Sequence, residues 1–256
     1  IRWSRLRAGV GEWSEYRAFL SDHPDWPGLQ RLRRQAEAKL PADTPNTIQA
    51  FFADRTPETP AGALLLLSVK PQKELLISAW TDMSLTEIEQ QTFLDRFGET
   101  LAPYHIERLD NLLWRKLRTQ AERMKPLVSV DTFRLAQARM ALQRRDATVD
   151  AAINALSPTQ QVDPGLAFDR FEWRMAKDRW DEAQDLISER TSPTTKMGRP
   201  DKWASRRRGF ARRAMRAGKI DEAYKLASEH GLTPVASLAA LEWLSGSVLS
   251  LSHIWR

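Results

Sequence analysis

The stretch Asp178-Arg179-Trp180-Asp181-Glu182-Ala183 decides the fold, because its pattern recurs at Gly11-Glu12-Trp13-Ser14-Glu15-Tyr16 and at Gly218-Lys219-Ile220-Asp221-Glu222-Ala223. In each copy a turn residue ends one helical pattern. A large apolar residue then acts as a staple, and a Ser or Asp cap followed by Glu opens the next helix. The sequence therefore predicts a helical hairpin at each copy.

A weaker copy runs from Asp146 through Thr148 to Ala151, and the two later copies follow at spacings of about 32 and 40 residues. Such a period is typical of stacked helical hairpins that bury their apolar faces only against neighbours. We therefore predict an all-α fold, an α-superhelix. It would be a solenoid of antiparallel helix hairpins, TPR-like (tetratricopeptide-like) in character, with a horseshoe or partial-ring shape.

Residues 1–256 are expected to form a single α-superhelical domain, with an irregular proline-rich connection near 41–60 and an exposed loop at 191–200. The alternation typical of strands is essentially missing. After a hairpin at 6–20, helical periodicity predicts helices at 29–40, 62–69, 72–81, 85–97, 104–125, 130–143, 148–156, 165–177, 181–189, 202–217, 221–230 and 234–250, with a short helix at 47–54.

The composition favours anionic partners without choosing among them. The chain has 39 Lys and Arg against 33 Asp and Glu, a formal net charge of +6. Nucleic acid, acidic lipid headgroups and an acidic cell-wall polymer all suit this surplus. No run approaches the length of a membrane-spanning helix, and the most apolar region, 235–251, contains Glu242.

Signatures of metal and cofactor chemistry are missing from the sequence. There is no cysteine, so disulfides and thiolate metal sites are excluded. The four histidines stand far apart and form no helical zinc pair. No glycine-rich phosphate loop or nucleophile elbow occurs. We therefore expect no metal, no cofactor and no catalytic residue in this chain.

The densest positive patch lies in the helix predicted at 202–217. At 100° per residue, five arginines share one face and Trp203, Phe210, Ala214 and Ala217 share the other. Those five are Arg206, Arg208, Arg212, Arg213 and Arg216. They are candidates for binding a glycan or a polyanion, or they are a solvated face alone.

Arg207 falls within the apolar face of that helix. A buried guanidinium must reach a carboxylate or backbone carbonyls, because an unpaired buried charge costs several kcal/mol. We therefore predict that Arg207 is a structural clasp between helices.

Tryptophans and one acid complete the candidates. Trp26, flanked by prolines, and Trp203, at the start of the arginine helix, are the two predicted ligand contacts, whereas Trp80, Trp114, Trp173 and Trp180 suit the core.

Glu242 is the acid best placed for general acid catalysis, because its helix is apolar. A structural hydrogen bond or ion pair is the alternative for Glu242, and we favour it.

Seven phrases, in this order and spacing, carry a resemblance to a known family. They are His23-Pro24-Asp25-Trp26-Pro27-Gly28-Leu29, Phe51-Phe52 with Thr59-Pro60-Ala61-Gly62, Arg108-Leu109-Asp110-Asn111-Leu112-Leu113-Trp114, Asp163-Pro164-Gly165-Leu166-Ala167-Phe168-Asp169-Arg170-Phe171-Glu172-Trp173-Arg174, Arg199-Pro200-Asp201-Lys202-Trp203, Ala227-Ser228-Glu229-His230-Gly231-Leu232 and Leu241-Glu242-Trp243-Leu244. From about Trp3 to Gly246 the chain resembles the N-terminal superhelical (U-type) region of soluble lytic murein transglycosylases, alphaproteobacterial type.

The resemblance implies a periplasmic region of an enzyme that cleaves the β-1,4 bond between N-acetylmuramic acid and N-acetylglucosamine, leaving a 1,6-anhydro product. In that family the catalytic glutamate lies in a lysozyme-like domain beyond the superhelix, whose Glu-Ser and Gly-Leu-Met-Gln motifs this chain lacks. The chain alone is therefore expected to be inactive. Asp169, Arg170 and Trp173 are taken as structural residues. After Gly246 the resemblance ends, and the tail at 247–256 diverges from it.

Two functions from different classes follow from the sequence. The first is a non-catalytic region that binds or restrains peptidoglycan and positions the lysozyme-like domain of the same parent protein. The second is a free-standing TPR-like adaptor that binds a protein partner on its concave face. Nucleic-acid binding is disfavoured, because only one helix is strongly basic. Since the chain begins at Ile1 without Met, we expect a piece of a longer protein or of a processed precursor.

Overall fold

The structure, a computed structural model, describes residues 2–42, 44–190, 197–232, 241–242, 244–246 and 248. Every regular element among them is a helix, so the predicted all-α class is confirmed. The helices are α1 Arg2–Arg7, α2 Trp13–Asp22, α3 Leu29–Lys39, α4 Pro45–Phe51, α5 Pro60–Val69, α6 Lys73–Asp82, α7 Glu87–Leu101, α8 His105–Trp114, α9 Arg118–Arg123, α10 Val130–Arg144, α11 Val149–Asn154, α12 Pro158–Gln161, α13 Pro164–Ala176, α14 Trp180–Glu189, α15 Pro200–Arg216 and α16 Ile220–Ser228.

The chain divides into two compact units. Unit 1 comprises Ile1–Leu112 and Thr119–Val128, and unit 2 comprises Leu113–Arg118 and Ser129–Arg256. The single-domain organisation expected from the sequence stays a prediction.

Unit 1 is built from helices that pack against their neighbours in sequence. α2 packs on α3, α4 on α5 and α5 on α6. The first core cluster, which includes Leu6, Tyr16 and Leu32, is fully buried. The Tyr16 hydroxyl donates to the Leu6 carbonyl at 2.8 Å, so this buried polar group is satisfied.

Unit 2 repeats the arrangement of sequential pairs. α13 packs on α10 and α14, and α15 packs on α16. An aromatic core joins them, with Phe168 and Phe171 from α13 against Trp203 and Phe210 from α15. Phe168 meets Trp203 edge to face at 5.0 Å between ring centroids, one of the favoured geometries for aromatic pairs.

The repeated sequence pattern marks helix-to-helix turns, although its capping residues differ from the prediction. The turn residues Gly9, Arg145, Asp178 and Gly218 have φ values of 86°, 62°, 56° and 73°. In all four turns the next N–H donates to the carbonyl five residues earlier, which is the Schellman ending of a helix.

The predicted Ser and Asp caps lie inside the following helices, which corrects the sequence analysis. α14 begins at Trp180 and α16 begins at Ile220, so Asp181 and Asp221 are second residues of their helices. There the carboxylates face the positive end of the helix dipole, which is favourable without a capping hydrogen bond.

Two further predictions about helices need correction, and one short helix was not predicted. The single helix expected at 104–125 is divided into α8 and α9, because Lys116 has a φ of 58° and closes a turn onto the Leu113 carbonyl. The proline-rich connection holds α4, shifted from the predicted 47–54 because Pro45 suits the first helical turn. α12 was not predicted, and its capping box is Ser157 with Gln160.

The loop predicted at 191–200 lies mostly outside the described residues. Its described end is well packed, since Met197 is fully buried and the Arg199 N–H donates to the Met197 carbonyl at 2.7 Å. The predicted helix at 234–250 and the divergent tail at 247–256 also fall largely outside the described residues.

Candidate functional site

The arginine face of α15 is the strongest candidate for a binding surface. α15 begins at Pro200, which suits a first helical position, and carries Asp201 in its first turn. Its buried side includes Trp203, Phe210 and Ala214, which packs the helix into unit 2. This packing therefore determines which side of the helix is exposed, and Arg206, Arg212, Arg213 and Arg216 lie on that side.

Two arginines of this face are paired with acids on neighbouring helices of unit 2. Arg206 donates to both carboxylate oxygens of Glu172 on α13, at 2.9 and 3.3 Å. Arg213 donates to Asp181 on α14 at 3.0 Å. Both guanidinium groups stay nearly half exposed, so these pairs orient the side chains and neutralise part of their charge.

Three arginines carry the uncompensated positive charge of the face. Within the described part of the chain, Arg208, Arg212 and Arg216 have neither a carboxylate nor a carbonyl partner. Arg212 and Arg216 are exposed, and Arg208 is half-buried. A ligand with carboxylate or phosphate groups would gain charge-assisted hydrogen bonds here.

A hollow beside this face combines aromatic and cationic side chains. Its volume is about 250 Å³. The lining residues are Met175, Trp180, Ser205, Arg206, Gly209, Phe210, Arg213 and Arg216. Trp180, at the start of α14, is 41% exposed, and the Arg213 guanidinium carbon lies 5.7 Å from its ring centroid.

Two tryptophans differ in burial from what the sequence predicted. Trp203 is fully buried and its indole N–H donates to the Met197 carbonyl at 3.0 Å, so it offers no surface to a ligand. This corrects its place among the ligand contacts. Trp180, which sequence reasoning placed in the core, is the exposed tryptophan of the arginine face.

Comparison of the chain with protein-family models, with curated proteins and with solved structures found no match. The resemblance to lytic transglycosylases therefore stays a prediction, carried by the residues quoted for it.

Arg207 is fully buried and bonded only to backbone carbonyls among the described residues. Its guanidinium donates to Leu226, Lys225 and Glu229 at the end of α16, and to Arg190 after α14, at 2.9 to 3.4 Å. Burial lowers the pKa of Arg207 to about 10, and the charge of Glu229 opposes this shift. This is the arrangement expected of an inter-helix clasp.

Asp169 forms a buried ion pair with Arg139 in unit 2. It accepts from Arg139 of α10 at 2.8 Å and from Gln143 at 3.0 Å, and all of these groups lie inside the α10 and α13 pair. Burial raises the pKa of the Asp169 carboxyl, and the charge of Arg139 opposes the shift. Gly165 makes room for the guanidinium, since a Cβ there would lie 2.3 Å from Arg139 Cζ.

Arg170 and Trp173, the other predicted structural residues, lie on α13 and are both partly buried. Burial lowers the pKa of the Arg170 guanidinium, with neighbouring Arg174 acting in the same direction. Trp173 packs on the cluster around Leu142 and Leu166, and the Arg179 guanidinium carbon lies 5.5 Å from its ring centroid.

Trp26 is the predicted ligand contact that stays exposed. It lies in unit 1, is 47% exposed, and meets Phe19 edge to face at 6.2 Å between ring centroids. The arginine face belongs to unit 2, and the site described above does not include Trp26.

Glu242 does not lie in the apolar environment that would suit a general acid. Its side chain is 59% exposed, and its carboxylate lies 3.0 Å from Nε2 of the buried His230. The Leu232 N–H donates to His230 Nδ1, so Nε2 carries the ring proton in the neutral form and donates to Glu242. Glu242 thus makes the structural hydrogen bond that the sequence analysis favoured for it.

Glu37 of α3 is a buried acid that sequence reasoning missed. It lines a cavity of about 1130 Å³ in unit 1. One oxygen accepts from the Glu58 N–H at 2.8 Å, and the other accepts from the N–H and hydroxyl of Thr59. Burial raises the pKa of Glu37, and these hydrogen bonds oppose the shift. Both oxygens are therefore engaged in holding the start of α5.

The described residues contain no group of three or more His, Asp or Glu side chains that could hold a metal ion. They also contain no helix with the length and apolar character needed to cross a bilayer.

Proposed function

We propose that this chain is a non-catalytic helical scaffold that binds peptidoglycan, with the arginine face of α15 as its contact surface. In this proposal the helix pairs continue into a TPR-like superhelix of the kind found in periplasmic lytic transglycosylases. The scaffold restrains a glycan strand and positions the lysozyme-like domain of the parent protein, which cleaves the bond between N-acetylmuramic acid and N-acetylglucosamine.

The observation that carries the proposal is the uncompensated charge of Arg208, Arg212 and Arg216 on one helix face. Stem peptides of peptidoglycan bear free carboxylates at short intervals, so a strand can engage several guanidinium groups at once. Each contact on an exposed face contributes little alone, and several contacts on one polymer add through effective concentration.

The buried acids support a role without turnover. General acid catalysis needs a carboxyl that can reach the leaving oxygen of a substrate. Glu37 and Asp169 are the two buried acids among the described residues, and both accept hydrogen bonds from neighbouring groups of the fold. Each serves the packing of a helix pair, so neither is free to protonate a glycan.

The proposal is tested by sedimentation with purified sacculi. We expect the chain to sediment with sacculi at low salt and to be released as ionic strength rises, because exposed charges are screened beyond about 8 Å at 0.15 M salt. The triple variant Arg208→Gln, Arg212→Gln, Arg216→Gln should lose most of this binding. Chromatography of the supernatant should show no 1,6-anhydro fragments.

A matched control is the triple variant Arg17→Gln, Arg31→Gln, Lys73→Gln in unit 1, which removes the same charge from exposed side chains that also lack a carboxylate partner among the described residues. It should bind sacculi like the parent chain. Equal loss in both variants would mean that net charge alone drives sedimentation, and release of anhydro fragments would contradict a non-catalytic role. Failure to sediment, together with capture of a periplasmic protein, would favour the adaptor instead.

A further inference from the structure

The hollow next to the arginine face has the size of a single small ligand. Its volume of about 250 Å³ lies below the range of about 300–1,000 Å³ that holds drug-sized molecules. It can take one sugar ring or one side chain, whereas a longer segment would not fit. All of its lining residues belong to unit 2 and are described.

The apolar part of the hollow is an aromatic wall. Trp180 and Phe210 lie 6.2 Å apart between ring centroids, and Met175 adds a flexible thioether. Although Arg213 lies over the indole, 41% of Trp180 stays exposed. An exposed indole offers its electron-rich face to C–H groups that carry partial positive charge, such as those on one side of a pyranose ring.

The polar part of the hollow consists almost entirely of donors. Arg206, Arg213 and Arg216 are guanidinium groups, which donate and never accept, and Ser205 adds a hydroxyl. An aliphatic side chain in the hollow would desolvate these groups without satisfying them. A ligand rich in acceptor oxygens is favoured, and Arg216, whose charge has no carboxylate partner among the described residues, favours one that includes an anion.

We propose that this hollow is a subsite for a hexose that carries a carboxylate, with the ring against Trp180 and the carboxylate on Arg216. This inference rests on the proposed function, because the sugar of peptidoglycan that carries a lactyl carboxylate is N-acetylmuramic acid. The arginine face alone predicts no selectivity between the two sugars of peptidoglycan. The subsite predicts that N-acetylmuramic acid binds more tightly than the neutral N-acetylglucosamine.

The test is an NMR titration of the full chain with N-acetylmuramic acid and with N-acetylglucosamine. The indole resonance of Trp180 is assigned by its loss in Trp180→Phe. We expect N-acetylmuramic acid to shift this resonance with an affinity about tenfold higher than that of N-acetylglucosamine, a difference of about 1.4 kcal/mol. Arg216→Gln should abolish the tenfold preference. Lys202→Gln removes a charge from an exposed position of the same helix outside the hollow and should retain it.

Gly209→Leu tests the hollow by filling it. A Cβ at Gly209 meets no atom within 4 Å, and leucine is a better helix former than glycine, so the variant should fold. Gly98→Leu in α7, where a Cβ also meets nothing, is the matched control. We expect Gly209→Leu to weaken binding of both sugars about tenfold or more and Gly98→Leu to leave binding unchanged.

Equal affinity for both sugars in the parent chain, or unchanged binding in Gly209→Leu, would overturn the subsite. A shift of the Trp180 resonance on addition of a short acidic peptide, with no shift on addition of either sugar, would also overturn the subsite. It would indicate that the hollow binds a protein side chain. Sacculus binding that persists in Gly209→Leu without sugar selectivity would leave the proposed function standing while the subsite fails. Selective binding of N-acetylmuramic acid at Trp180 without sacculus binding would leave the subsite standing while the proposed function fails.

Discussion

Replacing Arg207 with methionine is expected to lower the free energy of unfolding by about 3–5 kcal/mol. The fully buried guanidinium donates to four carbonyls, three at the end of α16 and one after α14. Methionine fills much of the same volume but donates nothing to the carbonyls of Arg190, Leu226 and Glu229, whereas the Lys225 carbonyl keeps the Glu229 N–H as a donor. Each buried carbonyl that loses its hydrogen-bond donor costs about 1–3 kcal/mol of stability. Removing the buried charge of Arg207 offsets only part of this loss.

The measurement is urea denaturation of the full chain at neutral pH, followed by circular dichroism. Arg207→Lys should fall between the parent and Arg207→Met, since an ammonium cannot span carbonyls on two segments. Arg212→Met, on the exposed side of the same helix, is the matched control and should change stability by less than about 0.5 kcal/mol. A stability of Arg207→Met equal to that of the control would contradict the clasp.

The lowered pKa of Arg207 determines how its contribution to the free energy of unfolding changes with pH. Its folded pKa of about 10 lies below the ordinary arginine value. From about pH 10 to that ordinary value the unfolded chain holds the extra proton, so this residue's contribution to stability rises with pH there. Between about pH 6 and pH 8 Arg207 is charged in both the folded and the unfolded protein. The loss of unfolding free energy in Arg207→Met should therefore not depend on pH in this range.

Breaking the Arg139 and Asp169 pair is the second large effect that we expect. Both side chains are about 2% exposed, and Asp169 also accepts from Gln143. Asp169→Leu leaves a buried guanidinium without its carboxylate, and Arg139→Met leaves the carboxylate without its guanidinium. Each single variant should lose about 3–5 kcal/mol of unfolding free energy.

The double variant Arg139→Met, Asp169→Leu distinguishes an ionic contact from simple packing. With both charges removed, the α10 and α13 pair can bury apolar groups instead, so the double variant should recover most of the loss. Urea denaturation of the four proteins forms a double-mutant cycle. Losses that simply add would mean that the two side chains act independently, against this account of the pair.

The sequence predicts the arginine helix well, because a period of 3.6 residues separates its faces. That period alone places Arg207 among Trp203, Phe210 and Ala214, and a buried guanidinium has few ways to be satisfied. The sequence does not predict which acids lie near the exposed arginines. Glu172 and Asp181 reach Arg206 and Arg213 from other helices, and the packing of helices remote in sequence sets those distances.

The two tryptophan predictions fail for different physical reasons. Trp203 shares the apolar face of its helix with Phe210 and Ala214, so the period of 3.6 residues favours burial over the ligand contact that was predicted for it. Its indole N–H donates to the Met197 carbonyl. Trp180 lies one turn before the buried Ala183 and Gln184, so periodicity places it on the buried face. As the first residue of α14 it lies at the end of that face, where periodicity does not determine burial.

The division of the helix predicted at 104–125 was equally inaccessible to sequence. Lys116 adopts a left-handed conformation at φ 58°, which glycine or asparagine would have signalled and lysine does not. The turns at Asp178 and Gly218 lie where the repeated pattern predicted them. In the other two copies the left-handed residue is Gly9 instead of the predicted Gly11, and Arg145 instead of the predicted Asp146.

The most direct test of the account compares binding of the full chain to two preparations of sacculi, native and with stem-peptide carboxylates chemically amidated. The account predicts binding to native sacculi and loss of most of that binding after amidation, because Arg208, Arg212 and Arg216 then have no anion to bind. Undiminished binding to amidated sacculi would contradict the claim that this arginine face holds peptidoglycan through charge.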